Sequence, residues 1–581
     1  MNAKQSIVEV LFGWIVLSIL GFAVTGEYTL RHLLFPLATS VIVVWCKSFQ
    51  ERREWFWAAF FCFSAPLLSL LAAHWWVPTD LRFWELGTYL AFATAIAVLA
   101  TSVIPLAPCL ALRTVISFIT ASVLVLIAGT VLGDIWAEGA WPNADSVYAI
   151  LQTNPKEAAS YVRDALGWRT LFIVLPAVLL VLAATVTGRE LRIREFNLAR
   201  GISFALLLVL CIVGLNRTRE NILTIPVYEV KGYVTSLEAF KKAHLEYASR
   251  EVSFSLSTEE KQGGLFVLVI GESATRDHFS VFGYGRETTP WMDSLKGKDG
   301  FFFYPNAYAC YTTTAKNLAY ALTSANQYTG TDFEQSPSLL DVAKRAGYKT
   351  VWLSNQVRIS EWDNANTVIA ETADERVWLN THSGVTLLSD FPDGMLVEKF
   401  HSLPKSDDMV IIFHLMGSHN SYQDRYPPEF AKFTGVNTQV NEYDGSLLYT
   451  DYVLQKIYEE MSQKPNFQAM VYFSDHGDAV DTGHFHSSTN FEWQMVRIPL
   501  FVALSPSYAK RHPEICAQLK AHESQAFTND LIFDLMMGLT RLKGEGIYDG
   551  KNDLSSAAYD GRAERFLTMY GKKHILEDDG K

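Results

Sequence analysis

Carboxylate and histidine side chains recur directly after short apolar runs in the second half of the chain. They are Glu272, His414, His419, Asp475, His476, His484 and His486. Each of these residues alone would more often be a structural polar group, but a mixed set of Asp, Glu and His suits Zn²⁺. Their recurrence at the ends of successive runs therefore predicts a metal site in this half of the chain.

A row of hydroxyl side chains precedes an apolar helical stretch. Thr312, Thr313 and Thr314 stand directly before Ala315. A hydroxyl at the N-terminus of a helix lies beside free N–H groups and the positive end of the helix dipole, which favour phosphate. Because a bound Zn²⁺ would lower the pKa of such a hydroxyl, the pattern predicts a metal-activated nucleophile. The alternative is that the threonines only cap the helix.

Short apolar runs rich in β-forming residues must position these side chains. The runs cover residues 265–270, 348–353, 409–415, 469–473 and 498–504. Continuous apolar strands separated by helical stretches are typical of a parallel sheet that is covered on both faces. In such folds ligands bind beyond the carboxyl ends of the strands. We therefore expect residues 263–581 to form an α/β domain with its site at one edge of the sheet.

The first part of the chain is far more apolar than the second. Apolar residues make up 49% of the whole chain and charged residues 19%, and the apolar excess lies in roughly the first 216 residues. Runs long enough to span hydrocarbon, which takes about 20 residues, lie at 8–26, 30–46, 55–77, 87–107, 114–133, 169–188 and 201–216. They predict an α-helical transmembrane domain of about seven helices over residues 1–216. The short second run could instead be re-entrant or interfacial.

Basic residues are concentrated in alternate loops between these runs. Examples are Lys47, Arg52, Arg113 and Arg189. If these loops are cytoplasmic, the N-terminus is inside and the residues after about 217 are outside. The runs hold almost no ionisable residues, which favours an anchoring or lipid-handling role over ion-coupled transport.

One outer loop, residues 152–157, carries helix-start signals. Asn154 can cap a helix, Pro155 suits its first position, and Glu157 stands where a capping-box acid would. One interpretation is a short helix on the membrane surface, and a sharper one is that Thr153 and Glu157 help to hold a lipid headgroup. Residues 217–262 then link the two halves, either resting on acidic headgroups or forming a plain solvated helix.

The net charge limits the possible functions, and the cysteine content limits the possible disulfides. The formal net charge of −12 argues against nucleic-acid binding, which usually needs a basic face. Cys310 and Cys516 are the cysteines of the second half, and one disulfide between them is possible although nothing in their spacing requires it.

The ordered motifs of the second half resemble those of the lipid A and lipopolysaccharide-core phosphoethanolamine transferases, within the alkaline phosphatase/sulfatase superfamily. The matching stretches are Val-Ile-Gly-Glu-Ser-Ala-Thr-Arg-Asp-His at 269–278, Tyr-Gly-Arg-Glu-Thr-Thr-Pro at 284–290, His-Leu-Met-Gly-Ser-His at 414–419, Arg-Tyr-Pro at 425–427 and Ser-Asp-His-Gly at 474–477. The resemblance covers residues 225–545 in the right order. It implies an alkaline phosphatase/sulfatase-like fold for the α/β domain.

The resemblance also implies roles for individual residues. Glu272, Asp475 and His476 match the family's zinc ligands, and Thr314 matches the nucleophile, which also contacts zinc. His414, His419 and His486 match histidines that hold the substrate phosphate or a second zinc. The family's outer loop resembles residues 152–157, which strengthens the headgroup-holding interpretation of Thr153 and Glu157.

The implied reaction transfers phosphoethanolamine from phosphatidylethanolamine to lipopolysaccharide, at lipid A or a core sugar, through a covalent intermediate on Thr314. The protein would be a multi-pass protein of the bacterial inner membrane, in contact with membrane lipids, with residues 263–581 as a periplasmic catalytic domain. An alternative with the same core is a phosphoglycerol transferase or phosphodiesterase that acts on periplasmic glucan or another envelope glycan. A sulfatase is disfavoured because Cys310 is not followed by the sulfatase nucleophile motif.

Two departures from the family pattern bear on these expectations. Family members typically have five spans, whereas the runs here predict about seven. Members that act on lipid A often carry several disulfides in the outer domain, so the low cysteine content here is closer to the branch that modifies core sugars.

Overall fold

The structure is a computed structural model that describes most of the second half of the chain and part of the first. The described residues are 6–15, 30–48, 50–73, 93–94, 96–138, 167, 170–192, 201–202, 235, 238, 242, 254–330, 336–358, 365–381, 391–488 and 490–580. The chain divides into two compact units, one within the first 231 residues and one within the remainder.

The N-terminal unit is built from apolar helices. Its long helices are Leu30–Ser48, Arg53–Ala73, Leu110–Glu138 and Thr170–Arg189, and shorter apolar helices cover Ser6–Ile15 and Ile96–Leu106. Within the described residues, Leu110–Gly133 and Thr170–Arg189 are long and apolar enough to cross a membrane. They coincide with the runs predicted at 114–133 and 169–188. Much of the runs at 8–26, 87–107 and 201–216 lies outside the described residues, so the predicted number of spans stays a prediction.

These helices bury one set of apolar side chains and present another outward. Phe56, Phe63 and Leu67 are buried in their shared core, whereas Leu126 and Leu171 are 70% and 67% exposed. In water, a helix with many exposed leucines would be unfavourable, but hydrocarbon solvates them as well as a protein core does. The outward faces therefore fit a lipid environment.

The C-terminal unit is organised around a seven-stranded sheet. Its strands, together with four short ones, are β1 (Leu265–Gly271), β2 (Phe301–Phe303), β3 (Ala307–Tyr308), β4 (Lys349–Arg358), β5 (Glu375–Thr381), β6 (Met409–His414), β7 (Phe467–Ser474), β8 (Leu500–Leu504), β9 (Phe527–Thr528), β10 (Leu567–Thr568) and β11 (Lys573–His574). The order in the main sheet is β2-β8-β7-β1-β6-β4-β5, and β3 pairs with β9 and β10 with β11.

Helices cover both faces of this sheet, as the continuous apolar runs predicted. They are Pro290–Leu295, Thr314–Ala321, Leu339–Arg345, Ala365–Glu371, Met395–Phe400, Thr438–Ser462, Pro506–Arg511, Pro513–Ala521 and Ile532–Thr540. Because successive side chains of a strand point to opposite faces, β1 contributes Phe266 and Leu268 to one hydrophobic core and Val267 and Val269 to the other. The expected α/β sandwich is confirmed.

The expectation of a wholly parallel sheet is wrong. Strands β7, β1, β6, β4 and β5 are mutually parallel, but β8 runs antiparallel to β7 and β2 antiparallel to β8. A parallel neighbour needs a crossover to return the chain to the starting edge, usually through a helix, whereas an antiparallel one does not. The segment from Asp475 to Pro499 contains no α-helix among its described residues. The segment stays at the edge of the sheet where β7 ends, so β8 starts from that edge and runs back antiparallel to β7. The sheet is therefore mixed.

Candidate active site

Glu272 is presented by a tight turn at the end of the central strand β1. The next residue, Ser273, has a φ of +56°, in the left-handed region, which turns the chain away from the sheet. The backbone carbonyl of Glu272 accepts a hydrogen bond of 2.9 Å from the amide of Ser418, in the loop after β6. Glu272 is only 1% exposed, so its carboxylate is fixed on a rigid, buried strand end.

Asp475 and His476 follow β7, the parallel neighbour of β1. The Asp475 amide donates to the Gly271 carbonyl at 3.1 Å, which keeps the two strand ends together. The imidazole Nε2 of His476 lies 3.3 Å from Glu272 Oε1 and 3.5 Å from Asp475 Oδ2. Ligand atoms of these residues all lie within 4.8 Å of one another, so the structure brings together the three residues expected to bind metal.

Thr314 enters this cluster from the helix Thr314–Ala321. Its hydroxyl donates to both carboxylate oxygens of Glu272 at 3.1 Å and lies 3.3 Å from His476 Nε2. Thr313, the N-cap residue, makes no side-chain capping hydrogen bond. Among the described residues, Thr314 is the one of the three threonines whose side chain has hydrogen bonds to the carboxylate cluster, which favours it as the predicted nucleophile.

The loop that delivers Thr314 is held by a buried asparagine. The side chain of Asn317 accepts from the Tyr311 amide at 3.0 Å and donates to the Tyr311 and Thr313 carbonyls at 2.8 and 3.0 Å. A second asparagine, Asn529, donates to the Asp475 carbonyl at 2.7 Å and accepts from the Cys310 amide at 2.9 Å. These bonds connect the nucleophile loop to the end of β7.

The electrostatics of the cluster fit a cation. Oxygen Oδ2 of Asp475 is buried and has no hydrogen-bond partner, although an unpaired buried carboxylate oxygen is costly. Two carboxylates, one imidazole and one hydroxyl, converging on a common point, are a donor set that suits Zn²⁺. The residues present therefore fit the metal that the sequence predicts.

Without a cation, the histidine must offset the two carboxylates. Burial alone would raise the pKa of Glu272, but the hydrogen bonds of His476 and Asp475 and the charges of His476 and His486 together outweigh it and lower that pKa. Burial and the neighbouring charge of Glu272 raise the pKa of Asp475. Burial would lower the pKa of His476, yet the two carboxylates raise it above its usual range. The site thus stabilises positive charge between Glu272 and Asp475.

The three further histidines occupy different positions around this centre. His414 ends β6, is 4% exposed, and has no hydrogen-bond partner on either ring nitrogen. Burial lowers its pKa to about 4, so its imidazole is neutral near pH 7. The His486 ring lies 4.7 Å from the His476 ring, and His486 Nδ1 lies 2.8 Å from Asp478 Oδ1. His419 is on the loop after β6, where its amide donates to the Met416 carbonyl.

The remaining predicted site residues can be placed only in part. His484 points to Glu492 at 2.5 Å, so the loop directs His486 rather than His484 towards His476. Thr153 and Glu157 lie outside the described residues, and their predicted contact with a lipid headgroup stays a prediction. The possible disulfide is absent: Cys310 and Cys516 are both free, the first fully buried and the second half-buried.

Several residues of the site were missed by sequence reasoning. Gln356, near the end of β4, donates to Glu272 Oε2 at 3.3 Å and to the Leu415 carbonyl at 2.8 Å. It stands at the same sheet edge as the predicted ligands, so the strand-end rule could have found it. Asp393 accepts from the amides of Met416 and Gly417, but nothing in the sequence marked it. Asp478, two residues beyond His476, was also overlooked.

Comparisons with known proteins agree with this geometry. Residues 265–540 match the family model described as Sulfatase. Phosphoethanolamine transferase EptC of Escherichia coli O18:K1:H7 (strain RS218 / NMEC) is 27% identical over 418 residues, which cover 64% of this chain and 71% of that protein. The crystal structure of the C-terminal periplasmic domain of EcEptC from Escherichia coli, in complex with Zn, is 26% identical with a TM-score of 0.50, over 55% of this chain and 94% of that one.

A solved membrane protein matches more of the chain. The integral membrane protein lipooligosaccharide phosphoethanolamine transferase A (EptA) from Neisseria meningitidis superposes with a TM-score of 0.56 over 86% of this chain and 97% of that one. Its identity is 20%, so this likeness bears on the fold alone. The resemblance predicted from the sequence motifs is confirmed by these matches.

Proposed function

Because residues 265–540 form a domain of the sulfatase family, we propose that the protein is a phosphoethanolamine transferase. It moves phosphoethanolamine from phosphatidylethanolamine to lipopolysaccharide, at lipid A or a core sugar. The observation that carries this proposal is the Thr314 hydroxyl, 3.1 Å from both Glu272 carboxylate oxygens at the start of a helix. Relatives with the name phosphoethanolamine transferase support the choice of headgroup.

Zinc is the metal that we propose for this site. Glu272, Asp475, His476 and the Thr314 hydroxyl would hold it. When bound there, the ion would lower the pKa of the hydroxyl and offset charge on the phosphoryl oxygens. The Zn complex of the EcEptC domain supports this choice.

In the first half of the reaction, the Thr314 oxygen forms a bond to the phosphorus of phosphatidylethanolamine. The bond between phosphorus and the glycerol oxygen breaks, and diacylglycerol leaves after that oxygen gains a proton, which balances the proton that the Thr314 hydroxyl loses. Thr314 now carries phosphoethanolamine as an ester. N–H groups at the start of its helix can donate hydrogen bonds to the negatively charged phosphoryl oxygens.

The histidines around the proposed metal site can stabilise the negative charge on the phosphoryl oxygens. The buried imidazole of His414, with both ring nitrogens lacking a protein partner, can donate a hydrogen bond to a phosphoryl oxygen. His486, held by Asp478 next to His476, can donate another, and we assign His419 to the same substrate. Such preorganised donors act most strongly where water is excluded.

In the second half, a hydroxyl or phosphate oxygen of the acceptor forms a bond to the phosphorus and the bond between phosphorus and the Thr314 oxygen breaks. Thr314 is regenerated as a hydroxyl by taking up a proton, which balances the one lost by an acceptor hydroxyl. A lipid donor and a leaving group that stays in the bilayer explain why the catalytic domain is joined to apolar helices. We propose a multi-pass protein of the bacterial inner membrane with a periplasmic catalytic domain. The membrane-length apolar helices and the periplasmic domain of EcEptC support this location.

The test is mass spectrometry of lipopolysaccharide from cells that express wild type, Thr314→Ala or Thr313→Ala. The last variant is the matched control, because it removes a neighbouring hydroxyl that makes no side-chain capping bond. We expect a phosphoethanolamine group to be added by wild type and Thr313→Ala only. A rapid quench of wild type should also yield a Thr314 peptide heavier by phosphoethanolamine. Full transfer by Thr314→Ala would refute the covalent route.

A further inference from the structure

A buried histidine outside the metal site joins the two loops that build it. The ring of His278, 1% exposed, has Nδ1 at 2.8 Å from Asp444 Oδ1 and Nε2 at 3.2 Å from Asp481 Oδ2. Each ring nitrogen faces a carboxylate oxygen, which can only accept a hydrogen bond when ionised, so both nitrogens must donate. His278 therefore forms a two-sided ionic bridge.

The first side of the bridge is anchored in the body of the domain. Asp444 lies within the long helix Thr438–Ser462 and is fully buried. Its second oxygen accepts from Tyr284 at 3.0 Å and from Arg286 at 2.7 Å. The Tyr284 ring also packs 4.4 Å from the His278 ring. These contacts fix the position of the imidazole before it reaches Asp481.

The second side of the bridge reaches the loop that carries His486. The backbone closes this loop on itself, because the Ala479 amide donates to the Phe485 carbonyl at 2.6 Å and the Gly483 amide donates to the Ala479 carbonyl at 3.1 Å. Phe485 has a φ of +51°, which is unfavourable for a bulky residue. Side chains outside the loop contact it at several points: Thr482 donates to Glu492 at 2.6 Å, Asp478 accepts from Tyr422 at 2.7 Å, and Asp481 accepts from Gln494 at 2.9 Å as well as from His278. Among these contacts, the one with His278 leads back to the buried Asp444 in the long helix.

The bridge thus connects the segment after Glu272 to the segment after His476. We propose that His278 is a positioning residue for the transfer reaction: through Asp481 it holds residues 478–486 where His486 can contact the phosphoryl group on Thr314. This inference rests on the proposed function and deepens it. His278 itself touches neither the metal ligands nor Thr314 in the contacts of the described residues, so it acts through the loop.

The test uses Asp481, because its side chain is 49% exposed and His278 keeps its ion pair with Asp444 when Asp481 is removed. In full-length protein in detergent with phosphatidylethanolamine, Asp481→Ala should slow formation of the Thr314 adduct about tenfold or more, as loss of an orienting residue does. Asp481→Asn keeps an acceptor for His278 and should restore most of the rate. Glu260→Ala is the matched control, since Glu260 is also 49% exposed and ion-paired, to Arg541.

A double-mutant cycle separates positioning from general stability. If His278 and Asp481 act through His486, Asp481→Ala should slow wild type but cause no further loss in a His486→Ala background. An equal loss in both backgrounds, or no loss in wild type, would overturn the proposal. Because the bridge also stabilises the fold, the rates are measured well below the thermal midpoints of all variants, so that a rate difference reports on the active site and not on unfolding.

If wild type forms no Thr314 adduct, that result contradicts the proposed function and not the role of His278. A second measurement tests the role of His278 in that case. Hydrogen exchange at the Ala479 and Gly483 amides reports whether the loop stays closed. We expect about tenfold faster exchange in Asp481→Ala than in Glu260→Ala if the bridge holds the loop. Unchanged exchange would show that the loop needs no support from His278.

Discussion

The backbone at Gly417 packs tightly against Glu272, a proposed metal ligand, and this contact provides a sharp test of how the site is built. Gly417 lies where the loop after β6 crosses Glu272, and its φ is +52°. A methyl group added there would lie 2.8 Å from the Glu272 amide nitrogen, 2.9 Å from its carbonyl oxygen and 3.1 Å from its Cβ. These contacts are backbone or Cβ atoms, which cannot move aside as a flexible side chain would. The substitution Gly417→Ala must therefore displace Glu272.

The expected cost has two parts. A left-handed backbone costs a residue other than glycine about 1–2 kcal/mol. Overpacking against fixed atoms costs about 1–3 kcal/mol more, for a total loss of about 2–5 kcal/mol in the free energy of unfolding. Gly297→Ala isolates the first part, because Gly297 has a φ of +79° and open space around its Cβ direction.

The measurements are urea denaturation of the full-length protein in detergent and its zinc content. We expect Gly417→Ala to be less stable than Gly297→Ala by about 1–3 kcal/mol and to retain little zinc after dialysis, while Gly297→Ala keeps it. Equal stability and equal zinc content in the two variants would contradict the inference that Gly417 fixes the Glu272 carboxylate.

Further predictions follow from other contacts. Gln356→Ala removes a donor to Glu272 Oε2 and should weaken zinc binding about tenfold or more, measured by chelator competition; an unchanged affinity would exclude that role. Burial would lower the pKa of His278, but Asp444 and Asp481 raise it to about 9 from 6.5. This bridge should contribute up to about 3 kcal/mol to the free energy of unfolding. The contribution should be fully present below about pH 6.5 and should be lost as the pH rises through about 9. Denaturation of wild type and His278→Gln over this range checks it, and an identical pH dependence in both would refute it. Finally, iodoacetamide should label half-buried Cys516 in the native protein and buried Cys310 only after unfolding. If neither cysteine is labelled in protein that has been unfolded without a reducing agent, the two form a disulfide and the prediction is wrong.

Much of the site could be predicted from the sequence because strand ends obey a simple rule. Glu272, His414 and Asp475 each follow or end a continuous apolar run, and parallel strands bring such residues to one edge. The direction of β8 could not be predicted this way, since a run such as 498–504 looks the same whichever way the strand points. The two helices of membrane-spanning length were predicted from length and apolarity, whereas the number of spans depends on residues that the structure does not describe.

What could not be predicted is the support around the ligands. The carboxylate of Asp393 accepts two amides of the loop after β6, and His278 is bridged to Asp444, 166 residues away in the chain. Such contacts join segments that are remote in sequence and leave no periodic pattern. A histidine or aspartate in these positions has the same local appearance as any polar loop residue, so only the packed fold distinguishes it.

The order of the strands explains why the metal ligands and the nucleophile come from different kinds of element. Strand β1 lies between β6 and β7, and neighbouring strands are about 4.8 Å apart. Glu272 and Asp475 are therefore close enough to share one cation, while His414 stands on the opposite side of Glu272, at the end of β6. Thr314 comes from the first turn of the helix Thr314–Ala321, and its hydroxyl lies 3.1 Å from both Glu272 carboxylate oxygens. Under the proposed function, a phosphoryl group attacked by Thr314 would lie beside this cluster, where a bound cation and the histidine donors would offset the charge that develops.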